Sequence, residues 1–165
     1  MASIKGLSGV RAYNRALEDR LRRVLKGAGK VAGNVIAEEA KERTRSEAVA
    51  KGVVVKLKSD RSSIRVTVTI KPGWSMSVAI WEEYGTVAHT IRVGQLPSDG
   101  GRQRSLVIDD QFVGKVVEHP GAKPHPFLRP ALDLKADEAI RAAQAYLNAR
   151  IVRGRVITTS ERDDE

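Results

Sequence analysis

Four prolines in one short segment constrain this chain more than any other feature of its sequence. The segment runs from His119 to Asp133 and reads HPGAKPHPFLRPALD. Each proline fixes φ near −65°, lacks an N–H group and restricts the residue before it, so the segment cannot form the middle of a sheet or a helix. We call it the proline segment and predict a stiff, extended connector that sets the angle between the elements on either side of it.

The end of the proline segment predicts the start of a C-terminal helix. Pro130 suits a first helical turn, where its missing N–H group would be unpaired in any case. Phe127, one of only two phenylalanines, and Leu128 are predicted to anchor the core beside this start. Apolar residues then recur at helical spacing until about Arg153. They are Leu132, Ile140, Ala143, Leu147 and Ile151.

The N-terminal part of the chain predicts a second, longer helix from Val10 to about Arg45. Ser8 is its expected N-cap. Apolar residues form one stripe along this helix: Tyr13, Leu17, Leu21, Val24, Ala28, Val31, Val35 and Ile36. Three glycines, at positions 27, 29 and 33, interrupt it. They indicate either a kink or break, or close packing against another backbone such as that of a neighbouring subunit.

The first helix also carries much of the charge in a chain whose formal net charge is +9. A balance this basic is typical of proteins that meet a nucleic acid or an acidic surface. The basic run is either a solvated helix face or a face turned toward DNA phosphates or an acidic ring. Aromatic residues make up only 4% of the chain, which disfavours a single-strand binder that stacks bases. The residues that we predict as possible DNA or ring-partner contacts are Arg11, Arg15, Arg22, Arg23, Lys26 and Lys30.

The middle of the chain predicts an antiparallel meander, because β-rich segments are joined by short loops. The predicted strands are Val53–Lys58, Ser63–Ile70, Met76–Glu82 and His89–Val93, followed by a hairpin of Ser105–Ile108 with Phe112–Val117. Residues 95–104 are predicted to be a mobile loop, and the chain from about residue 156 a flexible acidic tail. The predicted fold is a single α+β domain over residues 1–165. It has a sheet of four to six strands with an extended hairpin, and its C-terminal helix packs on the sheet.

Sequence motifs for catalysis, metals or cofactors are missing. The chain has no cysteine, and its three histidines, at positions 89, 119 and 125, form no HExxH motif. Glu82 and Glu83 would face opposite sides of a strand, so they would not form an acid/base pair. There is no nucleophile elbow and no phosphate-binding loop. No run reaches the length of roughly 18 apolar residues that a membrane span needs. We therefore expect neither an enzyme nor a membrane protein, and no metal or cofactor.

Two segments taken together, the proline segment and Trp81–Thr86 (WEEYGT), resemble a known family. With the two helices and the strands between them, the chain is similar to the head–tail morphogenesis proteins of tailed double-stranded DNA phages, which include tail-completion or neck proteins of lambda-type phages. Many members carry a Pro-x-x-Thr-Gly segment before the first strand, where this chain reads RTRSEAVA over Arg43–Ala50. The matching residues are Glu82, Glu83, Tyr84, Gly85, Thr86, His119, Pro120, Gly121, Pro126, Phe127, Leu128, Arg129 and Pro130.

The resemblance implies a non-enzymatic virion protein that forms a ring of six copies at the head–tail junction. Its partners would be further copies of itself, portal-side connector or stopper proteins, the tail terminator or tail-tube protein, and the genome DNA that passes through. We expect residues 95–104 and the hairpin to reach a neighbouring subunit or the next ring. The alternative is a sequence-independent module that binds double-stranded DNA through the first helix.

The matching residues are expected to be structural. Gly85 would permit a positive-φ turn. Tyr84 and Phe127 would pack the two segments together, and Arg129 would pair with Glu82 or Glu83.

Overall fold

The computed structural model describes residues 7–60, 63–93, 105–108, 110–152 and 155–156. The fold is α+β, as predicted, with a long N-terminal helix, small antiparallel sheets and a C-terminal helix. The predicted loop of residues 95–104 and the predicted tail after residue 156 lie outside the described residues. In the part of the chain that is described, no helix is long and apolar enough to cross a membrane.

Helix α1, Leu7–Arg43, is continuous over 37 residues and about 55 Å long. It begins before the predicted N-cap, so Ser8 lies inside the helix. Val24 and Ala28 of the predicted stripe are buried, whereas Tyr13 is 69% exposed. The helix is not broken at its glycines. They lie where other parts of the same chain come close, so the close packing is internal.

Two neighbours occupy the space that side chains at these glycines would fill. A Cβ atom on Gly27 would overlap the ring and hydroxyl of Tyr146 in the C-terminal helix. A Cβ atom on Gly33 would lie 2.5 Å from Val55 and 2.8 Å from Val66, both in the first hairpin. The glycines therefore let a helix and a hairpin pack on α1 at short range.

The first hairpin forms as predicted. A short helix α2, Glu47–Gly52, leads into strands β1, Val53–Ser59, and β2, Ile64–Ile70, which pair antiparallel over seven residue pairs. The Ser46 hydroxyl caps α2 by accepting a hydrogen bond from the Val49 N–H group at 3.4 Å. The predicted strand His89–Val93 and the second hairpin also form, but they do not join the first hairpin in one sheet.

The predicted third strand, Met76–Glu82, is wrong, because this segment belongs to helix α3, Trp74–Tyr84. Its alternating apolar residues mimic a strand over this short length. Met76, Ala79 and Glu83 are spaced as on one face of a helix, and this face points toward the core. Gly85 ends the helix with φ +73°, and its N–H group donates to the Trp81 carbonyl at 2.8 Å.

The later strands form separate two-stranded sheets, so the predicted sheet of four to six strands is also wrong. The predicted hairpin is present, but its second strand divides at Lys115, and the latter half turns away to pair with the strand at position 89. The strands are β3 His89–Arg92, β4 Leu106–Ile108, β5 Gln111–Gly114, β6 Val116–His119, β7 Ile151–Val152 and β8 Arg155–Val156. The pairs are β3 with β6, β4 with β5 and β7 with β8.

Helix α4, Leu128–Asn148, packs mainly against α1 and not on a sheet, which corrects the predicted arrangement. Its buried residues are Ala131 and Ala139, whereas Leu132 and Ile140 of the predicted stripe are 50% and 55% exposed. The small residues Ala131 and Ala139 are buried and Tyr146 lies against Gly27 of α1, whereas Leu132 and Ile140 lie on the exposed side of α4. The core holds Phe127 and Val49 as its largest fully buried side chains.

Candidate functional site

The two segments that carry the family resemblance meet at the C-terminal end of α3. Thr86 and Ala122 form an isolated antiparallel bridge. The Thr86 N–H group donates to the Ala122 carbonyl at 2.9 Å, and the Ala122 N–H group donates to the Thr86 carbonyl at 3.0 Å. The Thr86 hydroxyl lies 2.9 Å from the same Ala122 N–H group. The proline segment is therefore held to the end of α3. We call this contact region, Trp81–Thr86 against His119–Arg129, the joint.

Glycines stand on both sides of the bridge where no other residue fits. Gly85 has φ +73° and Gly121 has φ +84°. A Cβ atom on Gly85 would lie 2.5 Å from the Ala122 carbonyl oxygen, and one on Gly121 would overlap the Thr86 carbonyl oxygen. The predicted positive-φ turn at Gly85 is confirmed, and both glycines also allow the close approach of two backbones.

Glu83 caps helix α4 from a different helix. Its carboxylate accepts hydrogen bonds from the N–H groups of Phe127 at 2.8 Å, Leu128 at 3.0 Å and Arg129 at 3.4 Å. The side chain is almost wholly buried. Phe127 occupies the N-cap position and has no side-chain oxygen to satisfy these groups itself. A carboxylate at a helix N-terminus also interacts favourably with the helix dipole.

Glu82 connects the joint to the end of α1. Its carboxylate accepts hydrogen bonds from the Thr44 hydroxyl and from the Arg45 N–H group, both at 2.6 Å. Its backbone carbonyl accepts from the His125 N–H group at 2.7 Å. The buried His125 Nδ1 atom lies 3.4 Å from the Glu82 carboxylate without the geometry of a hydrogen bond. The two adjacent glutamates thus hold different segments in place.

Arg129 does not pair with either glutamate, contrary to our prediction, because backbone N–H groups occupy Glu83 and the α1–α2 junction occupies Glu82. Its guanidinium group instead lies 5.6 Å from the centre of the Tyr84 ring. Tyr84 is 63% exposed and does not take part in the core around Phe127. Tyr84 thus contacts the proline segment through Arg129 outside the core, and Phe127 is a core residue as expected.

Two further matching residues, Pro130 and His119, have described positions in the joint or next to it. Pro130 lies in the first turn of α4, as predicted. The rings of His89 and His119 lie with their centres 5.0 Å apart and their planes tilted by 33°. The His119 Nδ1 atom accepts a hydrogen bond from the Gly121 N–H group at 3.0 Å, and the His89 Nδ1 atom is 2.9 Å from the Val87 carbonyl.

The acidic and imidazole side chains of the described ranges do not gather into a metal site. These ranges contain no group of three or more His, Asp or Glu side chains that could hold a metal ion. The carboxylates at the joint accept hydrogen bonds from the fold itself, so they act there as structural acceptors. These hydrogen bonds hold α3, the α1–α2 junction and the start of α4 together.

The six basic residues predicted as contacts lie on the first 24 residues of α1. With 100° between successive helical residues, all six fall within an arc of about 120°. Five are exposed and Arg22 is half-buried. Asp19 lies within the same arc, and Glu18 lies just outside its edge. Elsewhere, a hydrogen bond of 2.6 Å between Lys135 and Glu138 raises the pKa of Lys135 and lowers the pKa of Glu138 on the surface of α4.

The sequence reasoning missed an open apolar groove of about 530 Å³ next to the joint. It lies between β2, α1, α3 and the start of α4, and exposed apolar side chains such as Ile80, Tyr84 and Leu132 line it. A second exposed apolar surface lies on β5, where Phe112 is 81% exposed. The groove was missed because the segment that forms one wall was predicted to be a strand.

We find no significant match of this chain to protein-family models, to curated proteins or to solved structures. The features that bear on function are therefore the joint, the two apolar surfaces and the resemblance of the two segments.

Replacing Glu83 with Gln tests the cap on α4. The neutral amide oxygen loses the charge-assisted part of three hydrogen bonds, and the amide group brings buried N–H donors. We expect the free energy of unfolding to fall by about 1–3 kcal/mol. Urea denaturation measures this change. The control, Glu47→Gln, alters an exposed glutamate in a helix first turn and should change stability by less than about 0.5 kcal/mol. Equal stability of the two variants would contradict the cap.

Replacing Gly121 with Ala tests the close approach at the bridge. Alanine is strained at the positive φ of this position, and its methyl group would clash with the Thr86 carbonyl oxygen. We therefore expect the free energy of unfolding to fall by at least about 2 kcal/mol. Gly114→Ala is the matched control, because Gly114 has a similar φ of +94° but no atom within 4 Å of a new Cβ. Thermal or urea unfolding should show a smaller loss, about 1 kcal/mol, for the control. The same loss in both variants would mean that φ alone matters.

Proposed function

We propose that this protein is a structural subunit of a ring at the head–tail junction of a tailed phage, where it joins or completes the tail and lets genome DNA pass. The observation that carries the proposal is the joint. The two segments on which the resemblance rests lie far apart in the chain, yet they form one contact through Glu83 and through the Thr86–Ala122 bridge. A shared structural role explains why both segments occur together.

The surfaces of the subunit also suit a ring. A closed ring needs two different, complementary surfaces on each copy. The apolar groove beside the joint and the exposed strand β5 are two such unlike surfaces. Large apolar side chains that cluster on a surface are typical of protein–protein contacts. In this proposal the partners are further copies in a ring of six, portal-side connector or stopper proteins, and the tail terminator or tail-tube protein. The site of action is the virion neck.

The assembly of particles tests this proposal directly. Removing the gene from the phage or prophage that carries it should leave DNA-filled heads and separate tails, because the ring between them is missing. Negative-stain electron microscopy counts joined particles, and expression of the wild-type protein from a plasmid should restore them. A tagged protein should appear as a ring in the neck of restored virions. Joined, infectious particles in the absence of the protein would contradict the proposal.

The basic face of α1 favours a second candidate function, binding of double-stranded DNA without sequence preference. Six basic residues on one face could neutralise phosphates, which would give a slope of about −5 for log K against log salt. Fluorescence anisotropy with a DNA duplex measures this slope. Arg15→Ala combined with Lys26→Ala should reduce it by about 2 if both contact phosphates. Lys56→Ala combined with Lys58→Ala, on β1, is the control. Binding that is feeble and identical in all variants would exclude this candidate.

A further inference from the structure

Strand β2 has an edge that no described residue pairs with. It hydrogen-bonds to β1 on one side, and the two strands form a sheet of their own. In the described part of the chain, the backbone groups of Val66–Ile70 have no backbone hydrogen-bond partner outside this hairpin. An unpaired edge presents a row of N–H and C=O groups that can accept another strand.

The apolar groove runs along this edge. Five consecutive β2 residues, Val66–Ile70, line it, and consecutive residues of a strand point to opposite faces, so the groove follows the side of the strand. Helices α1, α3 and α4 form its floor and far wall, where Ile80 and Leu132 are half exposed. Five strand residues extend about 16 Å, which is room for a short added strand.

Strand β5 has the complementary properties. All four of its residues are exposed, with Phe112 81% exposed, and it pairs only with β4 among the described strands. Four residues extend about 13 Å, which fits the length of the groove. An exposed phenylalanine on an open edge can supply both backbone hydrogen bonds and an apolar side chain.

Charge matches between one end of β5 and the rim of the groove. The turn that precedes β5 carries the exposed residue Asp110, and the exposed residue Lys115 follows the strand. Exposed basic residues flank the groove, namely Arg65 and Lys71 at either end of Val66–Ile70 and Arg129 at the start of α4. The Asp110 end of β5 is therefore the end that is attracted to this rim.

We propose that β5 of a second copy of this chain adds to the β2 edge and places Phe112 in the groove. This inference rests on the proposed function and specifies how one subunit contacts the next. The donor and the acceptor are different surfaces of each copy, so every subunit can bind two neighbours, and the contact closes into a ring when the rotation between copies allows it.

Two single variants and their mixture test the contact. Ile80→Glu places a charge in the groove, and Phe112→Glu places one on β5. Ile140→Glu is the matched control, because Ile140 is 55% exposed and Ile80 is 52% exposed, but Ile140 does not line the groove. Light scattering after size-exclusion chromatography gives the masses. Circular dichroism checks folding, and Leu132→Glu serves as a second groove variant should Ile80→Glu fail to fold.

We expect the wild type and Ile140→Glu to form the same oligomer, and each of the other variants to run as a monomer of 18.0 kDa. An equimolar mixture of the groove variant and Phe112→Glu should form a dimer of twice that mass, because the mixture retains one intact groove and one intact β5 strand. A dimer in the mixture would show that the two substitutions affect two different surfaces of one contact and do not abolish association in general.

Three results would overturn the inference. Variants that remain oligomeric would show that the groove and β5 are not in the contact, and a mixture that stays monomeric would place both residues on one surface or within one chain. A wild type that is monomeric at every concentration would exclude a second copy as the occupant. None of these results affects the particle-assembly test, and joined particles without the protein would reject the proposed function whatever the masses show.

Discussion

The structure depends on a buried carboxylate, that of Glu83, which satisfies the start of α4. Removing a carboxylate from water is costly unless it is hydrogen-bonded, and the first N–H groups of a helix are costly when they are buried without acceptors. Because the carboxylate accepts hydrogen bonds from these N–H groups, neither is buried without a partner. The same hydrogen bonds fix α3 and α4 at one relative position. The neighbouring Glu82 fixes the α1–α2 junction from the same turn of α3. These contacts also determine the shape of the groove beside α3, since Ile80 and Glu83 both line it.

The features that the sequence predicted well are those that a residue's own chemistry determines. Pro130 suits a first helical turn, Gly85 suits a positive φ, and the alternation on both sides of Asp60 forms a hairpin. Phe127 was predicted as a core anchor from its rarity and its apolar neighbours. The prediction that Trp81–Thr86 and the proline segment belong together came from the resemblance, and their contact in the fold agrees with it.

The features that the sequence predicted poorly depend on which elements become neighbours. Over seven residues, Met76–Glu82 fits both a strand and a helix, and only the contacts of Ala79 and Glu83 decide for the helix. In α4 the largest apolar residues were predicted to be inside. Instead Ala131 and Ala139 are buried, Tyr146 packs where α1 has a glycine, and Leu132 and Ile140 remain exposed. Glu83 was predicted to pair with a side chain, since a cap supplied from a distant helix leaves no local signal.

In the proposed ring, the charge on α1 would suit a surface that DNA passes better than one that holds DNA. Phosphate contacts strengthen binding with each basic residue that reaches the duplex. Glu18 and Asp19 lie beside or within the basic arc, so they offset two of its six positive charges where the helix would approach the duplex. A ring of such subunits would attract the genome weakly and without sequence preference, which allows the DNA to move along its axis. The apolar surfaces on β5 and beside α3 are then left for contacts between proteins.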